Sequence, residues 1–376
     1  MIEDLSLFDD LPPVRKLETE GIKYAGSKLK LIHHIADVMH SLKPKSVLDG
    51  FSGTTRVSQA FARLGYEVTS NDIAIWSYHF AQCYLKAKKS KKYYQEIINH
   101  LNSIPETHGW FTQNYGAAPE DLSVNHKRPW QIHNTKKLDA IRQEIDNLEL
   151  DEVDKSVALT SLILALDEVD NTIGHYSSYL KEWSPRSYKN MFLKIPKLIR
   201  SEKEHSISCC DIFDLINSDK IYDVAYFDPP YGSNNEKMPP SRVRYGAYYH
   251  IWTTVCKNDR PEIFGKANRR IDTSDKISSS IFEEFRKSDD GKFIAILAIE
   301  RLIKETKANH IILSYSTGGR ATAENLYEVI RLNGRVKELI QIDYRKNVMA
   351  NMRWTHDWIR DSEETHKELL FIIEKK

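Results

Sequence analysis

Apolar residues recur at helical spacing from Lys28 to Ser41, where Leu31, Ile32, Ile35, Val38 and Met39 form one stripe, and Pro44 closes the segment. A short apolar run, Ser46 to Asp49, then reads as a buried strand. The loop Asp49-Gly50-Phe51-Ser52-Gly53-Thr54 follows it, and a helix is expected from Thr55 to Leu64, stopped at Gly65. Glu67 to Ser70 is the next strand, ending at Asn71-Asp72. Strand, glycine loop, helix, strand and acid in that order predict a βαβ unit opening an α/β fold with a doubly wound, mostly parallel, Rossmann-like sheet.

Residues 85–200 change character. They are polar, mostly helical in pattern, and rich in Lys, Asn, Tyr and Trp, which marks an inserted subdomain. The sheet resumes with strands at Ser206–Cys210 and Val224–Phe227. A second insertion over 236–275 shows little regular pattern. Helices are expected at 279–288 and 291–306, a strand at His310–Tyr315 and a helix near 321–332. Val336–Tyr344 and Leu369–Ile373 fit a closing antiparallel pair. The expected organisation is a leader at 1–20, a core domain from 21–84, 201–235 and 276–376, and the insertions 85–200 and 236–275 between its parts.

Composition narrows the class. The chain has 376 residues, 41% hydrophobic and 28% charged, within the range of globular proteins and long enough for a core domain with insertions. No run of about 18 apolar residues suggests a membrane span, and the acidic start lacks the pattern of a secretory signal. Cys83, Cys209, Cys210 and Cys256 show no zinc spacing, and reduced thiols fit a cytoplasmic protein. His175 has no partners at ligand spacing, so no metal is expected. A net charge of +1 requires any nucleic-acid footprint to be local.

Four segments carry candidate chemistry. Asp228-Pro229-Pro230-Tyr231 ends the strand Tyr222–Phe227, where open parallel sheets bind ligands. The prolines stiffen the turn and remove two N–H groups, leaving the Asp228 carboxylate and the Pro229 carbonyl as acceptors. Two acceptors match the two hydrogens of a planar exocyclic amine and free its lone pair for attack. Tyr231 offers an aromatic face to a base. The loop Phe51-Ser52-Gly53-Thr54 admits a ligand to the backbone, and the helix after it favours an anion. Asp72 lies about 20 residues beyond that loop, where an acid commonly holds ribose hydroxyls; it could equally cap the next helix. Lys23-Tyr24-Ala25-Gly26-Ser27-Lys28 precedes the first helix, and Lys28 could reach a carboxylate.

In this order the segments resemble the Dam-like family of DNA adenine-N6 methyltransferases. The resemblance covers the first 75 or so residues, the region near 205–232 and Leu313-Ser314-Tyr315. It implies S-adenosylmethionine as cofactor, with Tyr24, Lys28, Phe51, Ser52, Gly53, Thr54 and Asp72 in its pocket. Asp211 and Ile212 would lie near the cofactor adenine, and Asp228 and Tyr231 would hold the target base. Two positions depart from the family pattern. Thr55 stands where the cofactor loop has its second glycine, and Ser27 follows Gly26 where the family has a glycine pair.

An adenine inside a duplex must flip out to be methylated. Lys88 and Lys89 are candidate backbone grips, and Arg242, Arg244 and Tyr245 mix cations with aromatics just after the catalytic motif. Arg269-Arg270 and Arg345-Lys346 are weaker candidates. Insert 85–200 would read the bases and 236–275 would face DNA. The partner is then double-stranded DNA, with a cognate restriction endonuclease possible and a monomer or weak dimer expected. Competing readings are cytosine N4, RNA adenine or a protein amide as substrate, an inactive DNA-binding module, and a nicotinamide oxidoreductase. The last predicts a fuller Gly-x-Gly-x-x-Gly loop than this chain has.

Overall fold

The computed structural model describes residues 17–120, 128–232, 244–274, 280–284, 286–343 and 367–376. Seven strands form one sheet: β1 (Ser46–Asp49), β2 (Glu67–Asn71), β3 (Ser206–Ser208), β4 (Tyr222–Phe227), β5 (Ala308–Ser316), β6 (Gly334–Asp343) and β7 (Lys367–Lys375). Their spatial order is β6-β7-β5-β4-β1-β2-β3. All neighbours are parallel except β7, which runs antiparallel between β5 and β6. The dinucleotide-binding order has six parallel strands without such an insertion. The topology therefore departs from the oxidoreductase alternative at β7.

Alternation along each strand sorts side chains between two cores. Val47, Val68, Val224, Tyr226, Ile312, Leu370 and Ile372 face one core. It also takes in α1 (Ile32–Leu42), α2 (Arg56–Arg63) and α3 (Ile75–Ala81). Leu48, Ala225, Phe227, Ile311, Leu313, Phe371 and Ile373 face the other. Covering that side are α8 (Ile212–Ile216), α11 (Ile294–Glu305) and α12 (Ala323–Asn333). The central strands β1 and β4 are buried on both faces, so they read as continuous apolar runs.

The stretch between β2 and β3 carries α4 (Lys91–Ser103), α5 (Trp110–Tyr115), α6 (Ile132–Asn147) and α7 (Glu152–Glu168). Their apolar faces join the first core rather than forming a separate one. Two expectations fail here. The segment after β4 is not irregular: its described part holds α9 (Tyr245–Tyr248), α10 (His250–Lys257) and a small hairpin pairing Ile263–Phe264 with Arg269–Arg270. Ile251, Trp252, Val255 and Cys256 bury one face of α10, with Trp252 packing 6.0 Å from Trp130. The helix expected at 279–288 is only a single 3₁₀ turn, Ile281–Glu283. Phe282 is anchored between aromatic rings there, and Gly291, at φ +77°, reverses the chain before α11.

Candidate active site

A cavity of about 810 Å³ opens at the C-terminal ends of β1 and β4, where the strand order reverses. Its size lies in the upper range for small-molecule sites.

One end is the loop after β1. The Gly50 N–H donates to the Tyr226 carbonyl at 3.0 Å, drawing the loop against β4. A β-carbon at Gly50 would lie 2.6 Å from the Phe227 ring, so only glycine fits. Gly53 has φ +47° and Thr55 φ +59°. Thr55 thus adopts the left-handed backbone that a glycine takes easily and a β-branched residue rarely does. Its hydroxyl donates to the Thr54 carbonyl at 2.7 Å and accepts from Gln59 at 3.1 Å, so the side chain is tied down inside α2's first turn. No side chain caps the start of α2, and Thr54, Arg56 and Val57 line the cavity beside it. Open N–H groups at a helix N-terminus favour an anionic ligand group.

Asp72 joins this loop to β2. Its Oδ2 accepts from the Gly53 N–H at 2.7 Å and its Oδ1 from the Ala74 N–H at 2.9 Å. Burial pushes its carboxyl above the usual carboxylate range, while these N–H groups pull it back. Phe51 packs edge-on to Phe282 at 5.2 Å. Ser52 anchors the loop through its hydroxyl, 3.1 Å from that of Ser77. The Tyr24 ring covers Gly53 and stacks on Tyr249 at 4.5 Å. Asp211 caps α8 by accepting from the Phe213 N–H at 2.8 Å, and with Ile212 it completes this wall.

The other end is an ionic cluster. Pro229 and Pro230 line the cavity beside Asp228. The Lys28 ammonium is buried and lies 2.9 Å from Asp228 Oδ1 and 2.8 Å from Glu368 Oε1. The Tyr231 hydroxyl touches Asp228 Oδ1 and Lys28, and sits 2.6 Å from Glu368 Oε1. Ser314 donates to Glu368 Oε1 at 2.7 Å. Asp228 meets its protein partners through Oδ1 in all these contacts. One cation thus serves two carboxylates, Glu368 buried and Asp228 partly open to the cavity. Burial is the main cause that raises Asp228 above the ordinary carboxylate range, with Glu368 adding to it against the pull of Lys28. Glu368 itself is held low, because Lys28, Tyr231 and Ser314 together outweigh its burial.

The geometry redistributes several expected roles. Lys28 lines the cavity, but its ammonium is held by Asp228 and Glu368. Tyr231 is not among the lining residues: its ring packs on Tyr315 at 4.7 Å and its hydroxyl bridges the two carboxylates. Tyr245 and Arg244 line the cavity, with Tyr245 5.4 Å from Tyr24. Arg242, Arg345 and Lys346 lie outside the described residues. Lys88 pairs with Glu204 at 2.6 Å, and Lys89 with Asp151 at 2.8 Å and Asp154 at 2.5 Å. Arg270 is buried in a fork with Asp259 and Asp272. His175 is buried and stacks on Tyr248 at 4.4 Å. Among the described residues, no group of three His, Cys, Asp or Glu side chains could hold a metal ion. Glu368 escaped the sequence reading. Its signal was an acid opening an otherwise apolar strand, in phase with the buried Leu370 and Ile372.

Comparison with known proteins fits this geometry. The chain is 29% identical over 378 residues to the modification methylase StsI of Streptococcus sanguinis, covering 94% of this chain and 52% of that protein. It is 27% identical over 334 residues to the type II methyltransferase M.NlaIII of Neisseria lactamica, covering 86% of this chain and 92% of that one. With M.FokI of Planomicrobium okeanokoites it shares 25% over 372 residues, 94% of this chain and 53% of the other. The chain thus spans about half the length of the StsI and FokI enzymes. A family model for D12 class N6 adenine-specific DNA methyltransferases matches residues 24–316, from Tyr24 at the cavity wall to the last residue of β5. The chain belongs to the D12 class of N6 adenine-specific DNA methyltransferases.

Proposed function

We propose that the chain transfers a methyl group from S-adenosylmethionine to N6 of an adenine flipped out of duplex DNA, as the modification enzyme of a restriction–modification system. The observation that carries this reading is that Asp228-Pro229-Pro230 and the Gly50–Thr54 loop line one and the same cavity. One end suits the donor and the other suits an amine.

The loop fits the donor on its own chemistry. The close approach at Gly50, the left-handed turn at Gly53 and the uncapped start of α2 make a place for a carboxylate-bearing ligand. Asp72 and Asp211, which both line the cavity, would hold its ribose and adenine. When bound, the donor supplies an activated sulfonium methyl group.

The chain's own residues orient the amine. Asp228 and the Pro229 carbonyl accept its two hydrogens and aim the nitrogen lone pair at the methyl group. Ionised, Asp228 is the stronger acceptor and can take up a proton, and Lys28 and Tyr231 hold it in place through Oδ1. The stretch 85–200 serves target recognition, and 236–275 faces DNA. The partners are duplex DNA and a cognate endonuclease, and the enzyme works in the cytoplasm as a monomer or weak dimer. No helix among the described residues is long and apolar enough to cross a membrane.

Incubation with mixed-sequence duplex DNA and labelled methyl donor, followed by nucleoside mass spectrometry, tests the reading. N6-methyladenine at a fixed sequence is expected. N4-methylcytosine, methylated RNA alone, or no transfer would overturn it.

A further inference from the structure

Glu368 lies outside the family match, on β7, yet its carboxylate reaches into the cluster that holds Asp228. It is buried, and Lys28, Tyr231 and Ser314 all converge on its Oε1. Lys28 stands almost equidistant from the two carboxylates, at 2.8 Å and 2.9 Å. A purely structural need could be met by a neutral acceptor in the same place. A second buried anion beside Asp228 repels it, and so raises a cost that a scaffold would avoid.

We propose that Glu368 is a positioning residue of the reaction: by sharing the Lys28 ammonium, it keeps that cation from neutralising Asp228, whose carboxylate stays able to draw hydrogen from the substrate amine. This rests on the reading of Asp228 as the amine's acceptor. If Lys28 paired with Asp228 alone, the ion pair would weaken the carboxylate as an acceptor. With Glu368 present the cluster carries one cation and two anions, and of the two carboxylates it is Asp228 that lines the cavity. As the N–C bond forms and the S–C bond breaks, sulfur keeps the bonding pair and the nitrogen becomes cationic. Asp228 faces that developing cation and takes the proton the nitrogen sheds before passing it to water.

The other groups facing Asp228 do not replace this charge. Tyr226 on β4, Tyr24 ahead of α1 and Tyr245 on α9 are phenols whose ionisation burial pushes well up, so they stay neutral. Asp49 at the end of β1 is pushed up to about 7 by burial and is largely protonated in mildly acidic solution. Ser314 is neutral. Glu368 is therefore the anion that sets the balance against Lys28.

The test compares wild type, Glu368→Gln and Glu368→Asp by two readouts. The first is the titration of the Asp228 carboxyl by carbon-13 NMR, assigned with Asp228→Asn. The second is the acidic limb of single-turnover methyl transfer against pH. In Glu368→Gln the Asp228 midpoint should fall by roughly one to two pH units, the acidic limb should follow it, and the plateau rate should drop about tenfold. Donor affinity should stay within about twofold, as expected for an interaction made only in the transition state. Glu368→Asp should recover part of both shifts. An unmoved or rising midpoint in folded Glu368→Gln overturns the proposal, and so does a plateau loss with no change in the limb. If Glu368→Gln does not fold, the same criteria apply to Glu368→Asp, with shifts in the same direction. A wild type that methylates nothing would sink the functional reading, whereas the NMR midpoint would still judge the coupling.

Discussion

The two ends of the cavity are built by opposite strategies. The frame of the loop end comes from one local stretch: Gly50 to Thr55 and Asp72 belong to a single strand–helix–strand unit, with Tyr24, Phe282 and Asp211 packed around it. The ionic end is gathered from Lys28 before α1, Asp228 and Tyr231 after β4, Ser314 on β5 and Glu368 on β7. At the loop end, backbone N–H groups do the holding and side chains mainly shape the space. At the ionic end, charge does the holding, and each group's protonation depends on the others. A local unit tolerates change elsewhere in the fold, whereas a dispersed cluster needs the whole sheet in register.

The sharpest way to separate the ends is Asp228→Ala. Turnover should fall about 10³-fold or more, while donor affinity measured by calorimetry stays close to wild type. Equal loss of both would erase the distinction between the ends. Asp72→Ala should do the converse. Removing the acceptor for two backbone N–H groups should weaken donor binding by about tenfold to a hundredfold, with a smaller change in rate at saturating donor.

Stability and pH sharpen the contrast further. Gly50→Ala drives a methyl group against Phe227 and should cost about 1–3 kcal/mol in chemical denaturation. A neutral effect would mean the loop can move off β4. For pH, the raised Asp228 carboxyl works in a known direction. Its folded value exceeds its unfolded one, so its protonated form favours folding at low pH, and that contribution is lost as pH rises through the folded value. With ionised Asp228 as the proposed acceptor of the amine, the rate of methyl transfer should fall on acidification at a pH above the ordinary Asp range. An acidic limb near pH 4 would show that the cluster does not act on Asp228. The smallest effect should come from Lys89→Ala. Its ammonium is engaged by Asp151 and Asp154, so the salt dependence of DNA binding should not change. A slope lower by about one would return Lys89 to the DNA surface.

Much of the fold was legible because period and punctuation are local. The apolar runs that made Ser46–Asp49 and Tyr222–Phe227 strands were local, whereas which core each of their residues faces appears only in the folded sheet. The strand pairing of Gly334–Asp343 with Lys367–Lys375 followed from two apolar runs near the C-terminus. The 279–288 segment forms no helix because, of its apolar pair, only Phe282 turns inward, as an aromatic anchor between Phe51 and Phe213, while Ile281 is exposed. The α10 helix was hidden by the tyrosines and Gly246 just before it, whose polar look masked the buried face beginning at Ile251.

What the sequence determined by itself was the frame of the loop end and the diproline turn after β4. Glycine spacing, paired prolines and the strand-end acids act through backbone conformation, which neighbouring residues dictate. Only the tertiary structure decided where charge goes. Lys28 could have served either the donor or Asp228, and the acid at the start of the apolar strand β7 gained its partner Lys28 only when β7 inserted between β5 and β6. Electrostatic coupling depends on distance through space and on burial, and neither can be counted along a chain.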